Sequence, residues 1–332
     1  MPVMRRRMVF NVVGAAAASA SFSRASSAQT RIPGRTARVA FLSSASTADR
    51  PAYHAFRKQL RDLGWIEGQN LELAFHFVAG AGQSRLEPIA RSIADSQVDA
   101  VLADGRVATL AIANVTRTIP IVSIMGLDPV ALGLAQSLGR PGRNVTGMSV
   151  FSESLNTKRF QLLRDMVPGA RRFGVIYGSA GGRPPVEPAI TAAGALGLEM
   201  HPIEIRSLDD LAERLAAKDL EDLDAFLVGT DGFLDAVPVR VVQSVNRHNK
   251  PAIFPDKPYV HAGGLAAYGV DYTILFERLA TMVDRVLRGE RASEMPIQQP
   301  ERFDLTLNQS RAREIGLAFS PLVLAQAGEI ID

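Results

Sequence analysis

The chain has 332 residues, 47% hydrophobic and 21% charged, with a formal net charge of +3 and no cysteine. That length suits two domains, the composition is that of a globular protein, and the missing cysteine excludes disulfides, thiolate metal sites and a lipid-modified N-terminal cysteine. Residues 1–28 hold four arginines and no acid, so removing them takes the charge from +3 to −1, and the basicity argues nothing for nucleic acid as a partner.

Those residues, MPVMRRRMVFNVVGAAAASASFSRASSA, join a basic start at Arg5–Arg7 to an apolar, small-residue centre and a small-x-small site at Ser26-Ser27-Ala28. This is the layout of a bacterial secretory signal. Arg6-Arg7 departs from the twin-arginine pattern in its flanking residues, so that route and general secretion both stay open. Residues 29–36 read as a flexible linker, and no later run approaches the roughly 20 apolar residues of a membrane span. The expected location is the periplasm.

From Ala37 onward, short Val/Ile/Phe-rich runs alternate with longer amphipathic stretches, the pattern of a parallel sheet covered by helices. In chain order the first half reads ARVAFLSS (strand), RPAYHAFRKQLRDLG (helix), NLELAFHF (strand), SRLEPIARSIADS (helix), VDAVLAD (strand), RVATLAIANVTR (helix) and IPIVSIMG (strand). DPVALGLAQSLGRPGRNVTGMSV then predicts a short helix opened by Asp128-Pro129 and a Gly-rich return. The second half repeats the plan with RFGVIYGSA, PPVEPAITAAGALG, LEMHPIEI, LDDLAERLAAK, LDAFLVGTD, FLDAVPVRVVQSVNRHN and KPAIFP. Arg38 recurs as Arg172, Gly64 as Gly197, Asp99 as Asp224 and Pro120 as Pro251, so one α/β unit is used twice. Two such lobes suggest a clamshell with ligand between them, because open parallel sheets bind ligands beyond the carboxyl ends of their strands. Asp104, Asp128, Asp231, Asp256 and Asp271 all follow apolar runs and should gather at that rim, as helix caps or as ligand contacts.

The sequence lacks a GxSxG elbow, a Walker loop and a dinucleotide fingerprint. The five histidines are scattered without an HExxH or an i, i+4 pair. Neither a metal nor another cofactor is expected, and the chain does not read as an enzyme. Trp65 reads as a packing anchor.

GWIEGQNLEL, IPIVSIMGLDPVALGLAQSLGRPGRNVTGMS, GGLAAYGVDY and VLRGERASEMPIQQPERFDLTLNQSRAREIGL, in this order, resemble the substrate-binding proteins of ABC transporters, a family with tryptophan- and phenylalanine-binding members. The resemblance covers about Ala37 to Ile331. It implies the type I periplasmic-binding fold, two doubly wound parallel-sheet lobes joined by three crossovers near 145–151, 265–271 and 298–304. Lobe one would hold 37–148 with 272–297, and lobe two 152–264 with 304–332. Carried over by position, the cleft residues implied are Ser43, Ser44, Asp104, Gly105, Arg106 and Asp128 in lobe one, and Tyr177, Gly178, Thr230, Asp231, Asp256 and Tyr268 in lobe two and at the last hinge. Helix N-termini after the first and third strands offer N–H groups to an anion, and the lobe-two aspartates could meet an amine. Where many relatives have a small Gly-Thr-Pro-Ala-like turn, this chain has Asp104-Gly105-Arg106-Val107, a local charge pair that would alter the pocket. Arg106 either enters that pocket or points to solvent.

The implied function is a periplasmic receptor for a small polar molecule, such as an amino acid or aromatic acid, that is monomeric and serves an ABC permease. The alternative is an extracytoplasmic sensing subunit for a membrane signalling protein. N-terminal sequencing of the exported protein is expected to start near Gln29, and an intact Arg5–Arg7 in the periplasmic fraction would refute the signal assignment.

Overall fold

A computed structural model describes residues 35–332 apart from 44, 46–48, 79–82, 127, 180–182 and 184. The expected signal segment and Ser44 lie outside these residues.

The first sheet begins with β1 (Ala37–Ser43), and α1 (Pro51–Asp62) starts on a proline whose missing N–H costs nothing at a first helical position. Next come β2 (Leu71–Phe77), α2 (Gln83–Asp95), β3 (Ala100–Asp104), α3 (Arg106–Val115), β4 (Ile121–Met125) and β5 (Val145–Ser149). These strands lie in the order β2-β1-β3-β4-β5, all parallel. Every residue of β3, β4 and β5 is buried, as helices on both faces require.

The chain then enters the second sheet's layer with α4 (Ser152–Met166), β6 (Arg172–Gly178), α5 (Glu187–Ala195), β7 (Glu199–Ile205), α6 (Leu208–Arg214) and β8 (Ala225–Val228). After these come α7 (Pro238–Asn246), β9 (Ala252–Phe254), α8 (Lys257–His261) and β10 (Ala266–Gly269). α9 (Tyr272–Leu287) returns to the first sheet, burying Leu275, Phe276, Leu279 and Val283 against a core that includes Val39 and Phe41. Its first turn is capped by Asp271, whose Oδ1 accepts from the Thr273 amide at 2.9 Å. The chain touches β5 once more through Met148 and Gln298, then ends in the second sheet with β11 (Asp304–Asn308), α10 (Gln309–Glu314), α11 (Pro321–Gln326) and β12 (Ala327–Ile331).

The second sheet has the order β12-β11-β10-β9-β8-β6-β7. Its β7-β6-β8-β9 portion repeats β2-β1-β3-β4, so both lobes reverse direction at the same place, between β1 and β3 and between β6 and β8. At such a switch point adjacent connections leave towards opposite faces and open a crevice. Ser43 pairs with Asp104 in register at the first of these points. Two apolar layers flank each sheet.

Three local expectations needed correction. The stretch after Asp128 forms turns, not a helix: Asp128 Oδ1 takes the Val130 amide at 2.8 Å and Gly133 adopts a φ of 67° that ends any helical run. The helix expected over 233–249 is divided into a 3-10 turn at Leu234–Ala236 and α7, because Pro238 pushes Val237 out of the helical region, to φ −135°. The second sheet is also not wholly parallel, since β11 runs antiparallel to β10.

Gly147 of β5 has a φ of 134°, and a Cβ there would sit 1.9 Å from the Ser123 carbonyl oxygen of β4. Gly147→Ala is expected to destabilise the protein by roughly 1–3 kcal/mol, read as a lower urea midpoint.

Candidate functional site

At the switch point of the first sheet, β3 ends on a buried carboxylate that is held from several sides. Asp104 Oδ2 accepts from Ser43 Oγ at 2.9 Å and from the Tyr53 hydroxyl at 2.5 Å, and Arg50 Nη1 lies 3.6 Å away. Arg50 also donates to the Tyr53 hydroxyl at 3.1 Å, with its guanidinium over the ring. Burial alone would lower the Arg50 pKa, but Tyr53, Asp104 and Asp235 outweigh it and hold the guanidinium firmly charged. The Tyr53 hydroxyl is pushed far up by burial and by Asp104, so it stays protonated as a donor. The cation that Asp104 meets in this cluster is thus Arg50, 54 residues upstream, whereas the sequence pointed to Arg106.

Gly105 turns the chain from β3 into α3 with a φ of 88°. Arg106, the first residue of α3, is half-buried, and its pKa is lowered by burial against the attraction of Asp231 from the other lobe.

In the second sheet the matching switch point is built from Gly178 and Asp231. Asp231 is 6% exposed, and its Oδ1 accepts from the amides of Phe233 and Leu234 at 2.9 and 3.3 Å. A Cβ on Gly178 would come within 2.4 Å of that oxygen, so glycine makes the room the carboxylate occupies. Thr230 is fixed by Arg159 of α4, a residue that is 1% exposed. Arg159 donates to Thr230 Oγ1 at 2.8 Å, Asn156 Oδ1 at 2.6 Å, the Pro255 carbonyl at 2.8 Å and the Tyr268 carbonyl at 2.6 Å. Four bonds in fixed planar geometry are what guanidinium supplies and ammonium does not.

Two adjoining cavities lie between the lobes. The first encloses about 680 Å³ of empty space, part of it open to solvent. Its charged wall comprises Arg50, Asp104, Arg106, Asp231 and Asp235, and Ile124, Val107, Val150 and Pro185 supply apolar surface. The second, of about 630 Å³, lies towards the Val270–Thr273 connection and includes Asp256, Lys257 and Asp271. Arg50, Asp235 and Tyr272 line both.

Among the residues expected at the cleft, Asp104, Gly105, Arg106, Thr230 and Asp231 line the first cavity and Asp256 the second. Ser43 is fully buried and orients Asp104 from behind. Asp128, Tyr177, Gly178 and Tyr268 line neither cavity. Asp128 caps its own turn, Tyr177 packs on the core beside α4 and α5, Gly178 makes room for Asp231, and Tyr268 stacks on Phe303 and offers its carbonyl to Arg159.

Sequence reasoning missed Arg50, Asp235, Tyr272 and Arg159. Arg50 and Tyr272 carry a readable signal: each stands at the start of a helix that follows a carboxyl strand end. Asp235 lies four residues beyond Asp231 inside what reads as one helix, and Arg159 resembles any polar residue of an amphipathic helix.

The acids of this site hold unusual protonation equilibria. Burial and Asp256 push Asp235 well above the usual carboxylate range, against Arg50 and the Tyr259 hydroxyl that donates to it at 2.8 Å. Burial likewise raises Asp256 to about 6, with Arg50 and Arg159 opposing. Asp271 is lowered, because its 2.6 Å bond with Lys257 outweighs the effect of burial.

A sequence model of the family described as ABC transporter substrate binding protein matches residues 39–331. A relative described as a tyrosine-binding protein of Clostridioides difficile (strain R20291) is 25% identical over 268 residues, 80% of this chain and 76% of the relative. Among solved structures, a conserved domain protein from Vibrio cholerae superposes with a TM-score of 0.78 at 25% identity, covering 89% of this chain and 100% of that one. An ABC domain in complex with L-Trp from Streptococcus pneumonia gives a TM-score of 0.76 at 24% identity, with the same two coverages.

Because Asp128 caps a turn outside both cavities, Asp128→Asn is expected to keep both stability and ligand affinity. Asp128→Ala should lose about 1 kcal/mol of stability through the missing side-chain hydrogen bond, with affinity unchanged. Chemical denaturation and a ligand titration on both variants check this.

Proposed function

The chain belongs to the family of ABC transporter substrate-binding proteins, and from that premise we propose that it is a periplasmic receptor that captures a zwitterionic amino acid between its lobes and delivers it to an ABC permease. The observation that carries this reading is the opposition of charge across the first cavity. Arg106 and the N-terminal amides of α3 stand on the lobe-one side, where a carboxylate is favoured by donors and helix dipole together. Asp231 stands on the lobe-two side, where its carboxylate accepts from two backbone amides and supplies the negative charge an ammonium group would meet. Ile124, Val150, Pro185 and Tyr272 offer surface for an apolar or aromatic side chain. Support for an aromatic one comes from the relatives, one described as tyrosine-binding and one solved with L-Trp.

The receptor acts as a monomer whose lobes close on the ligand by rotation about the three inter-sheet connections, at Val150–Phe151, Val270–Asp271 and residues 299–303. Export through the N-terminal signal places it where a permease can be met. No helix among the described residues is long and apolar enough to cross a membrane.

The test is a thermal-shift panel of amino acids, aromatic acids, purines and sugars on the mature protein. L-tyrosine or L-tryptophan at about 100 times its dissociation constant should add roughly 2.7 kcal/mol of stability. Arg106→Met should weaken binding roughly tenfold or more by removing a charge-assisted contact. A panel in which no compound raises the melting temperature would sink the receptor reading.

A further inference from the structure

The second cavity holds a feature that the first does not. Asp256 is 6% exposed, and its Oδ1 is closed off from solvent with no hydrogen-bond partner among the described residues. A buried acceptor in that condition is costly unless something fills the place beside it. The cations nearby are already engaged. Lys257 is bound to Asp271 at 2.6 Å, Arg50 to Asp104 and Tyr53, and Arg159 to four oxygens of its own lobe.

Four aspartates, Asp49, Asp235, Asp256 and Asp271, line this cavity against one arginine and one lysine. Its walls come from the residues leading into α1, from the 3-10 turn before α7, and from the starts of α8 and α9. Among the described residues no group of three or more His, Asp and Glu side chains is arranged to hold a metal ion. The unpartnered Asp256 oxygen therefore suits an organic donor that carries positive charge.

We propose that the second cavity is a seat for an organic ammonium group, with the Asp256 carboxylate as its anion. The cation is either the terminal amine of a ligand whose other end lies in the first cavity, or a separate small amine. The first source rests on the receptor reading above and is allowed by the junction of the two cavities at Arg50, Asp235 and Tyr272. Without the cation, a proton takes its place at pH values below about 6, in line with the raised pKa of Asp256. Entry of an amine displaces that proton, and the carboxylate meets the ammonium as an ion pair.

The groups facing Asp256 fix the direction of the pH effect. Burial, as the largest influence, and Asp271 favour its protonated form, whereas Arg50, Arg159 and Lys257 favour its ionised form. Because the folded-state pKa is above the unfolded value, Asp256 stabilises the empty protein at low pH, and this contribution is lost as pH rises through about 6.

The experiment compares L-lysine with L-norleucine, which lacks the terminal ammonium, and adds 1,4-diaminobutane as a free amine. Each is titrated into the mature wild-type chain and into Asp256→Asn. A terminal-amine seat predicts L-lysine at least tenfold tighter than L-norleucine, and a free-amine seat predicts binding of 1,4-diaminobutane alone. In either case Asp256→Asn removes the preference. Calorimetry near pH 6 in buffers of different ionisation enthalpy should record proton release from wild type and none from the variant. The wild-type arm of that measurement needs no variant to fold, and Asp256→Asn without ligand should melt no lower than wild type at pH 7.5.

Equal binding of the amines by wild type and variant overturns the seat, as does failure of every amine to bind wild type. If the aromatic amino acids still bind in that case, the seat alone fails. If they too fail, the receptor reading falls with it.

Discussion

The Arg159 guanidinium governs how the second lobe presents its polar residues. It is buried at the carboxyl edge of the sheet, and its hydrogen bonds join α4 to the chain just beyond β8 and β9 and to Tyr268 within β10. A buried cation is tolerated only when its donors are met in good geometry, so the positions of Thr230, Pro255 and Tyr268 are fixed relative to one another. Asp231, Asp256 and Asp271 follow those residues by one to three positions, and their placement depends on this strut. Close packing enforces the same geometry at Gly269, where a Cβ would lie 2.0 Å from the Pro255 carbonyl oxygen.

The first lobe solves the same problem by another means. Its rim carboxylate, Asp104, is neutralised locally by Arg50 and by hydroxyl donors from Ser43 and Tyr53. Arg50 also faces Asp235 of the other lobe, across both cavities. A charge fully paired within its own lobe would give the cleft rigidity but no recognition. Asp104 is such a charge, and Arg106 also feels the field of Asp231 from the other lobe. The cleft therefore has a settled floor and a responsive rim.

Acidic groups outnumber basic ones along the cleft walls, and several sit where water cannot solvate them. Repulsion from Asp256 adds to desolvation at Asp235, and repulsion from Asp271 adds to it at Asp256, so these groups retain protons at pH values where surface carboxylates are ionised. Such sites respond to a positively charged visitor through two channels, Coulomb attraction and proton release.

The sequence by itself determined the doubly wound class, nearly every strand, the repeated plan and the gathering of acidic residues at strand ends. These follow from period-2 and period-3.6 patterns, which near neighbours in the chain impose on one another. It misread the segments after Asp128 and before Pro238, where one side-chain hydrogen bond or one proline overrides a favourable pattern. Which acids line a cavity, and which cation each one meets, only the tertiary structure decided. Asp128 and Asp231 look alike in sequence, each after an apolar run and before a turn, yet only Asp231 faces the cleft. The Arg159 bond to Tyr268 spans 109 residues. No local pattern encodes such a partner, because a buried charge is satisfied by whichever oxygens the packed sheet edge brings to it.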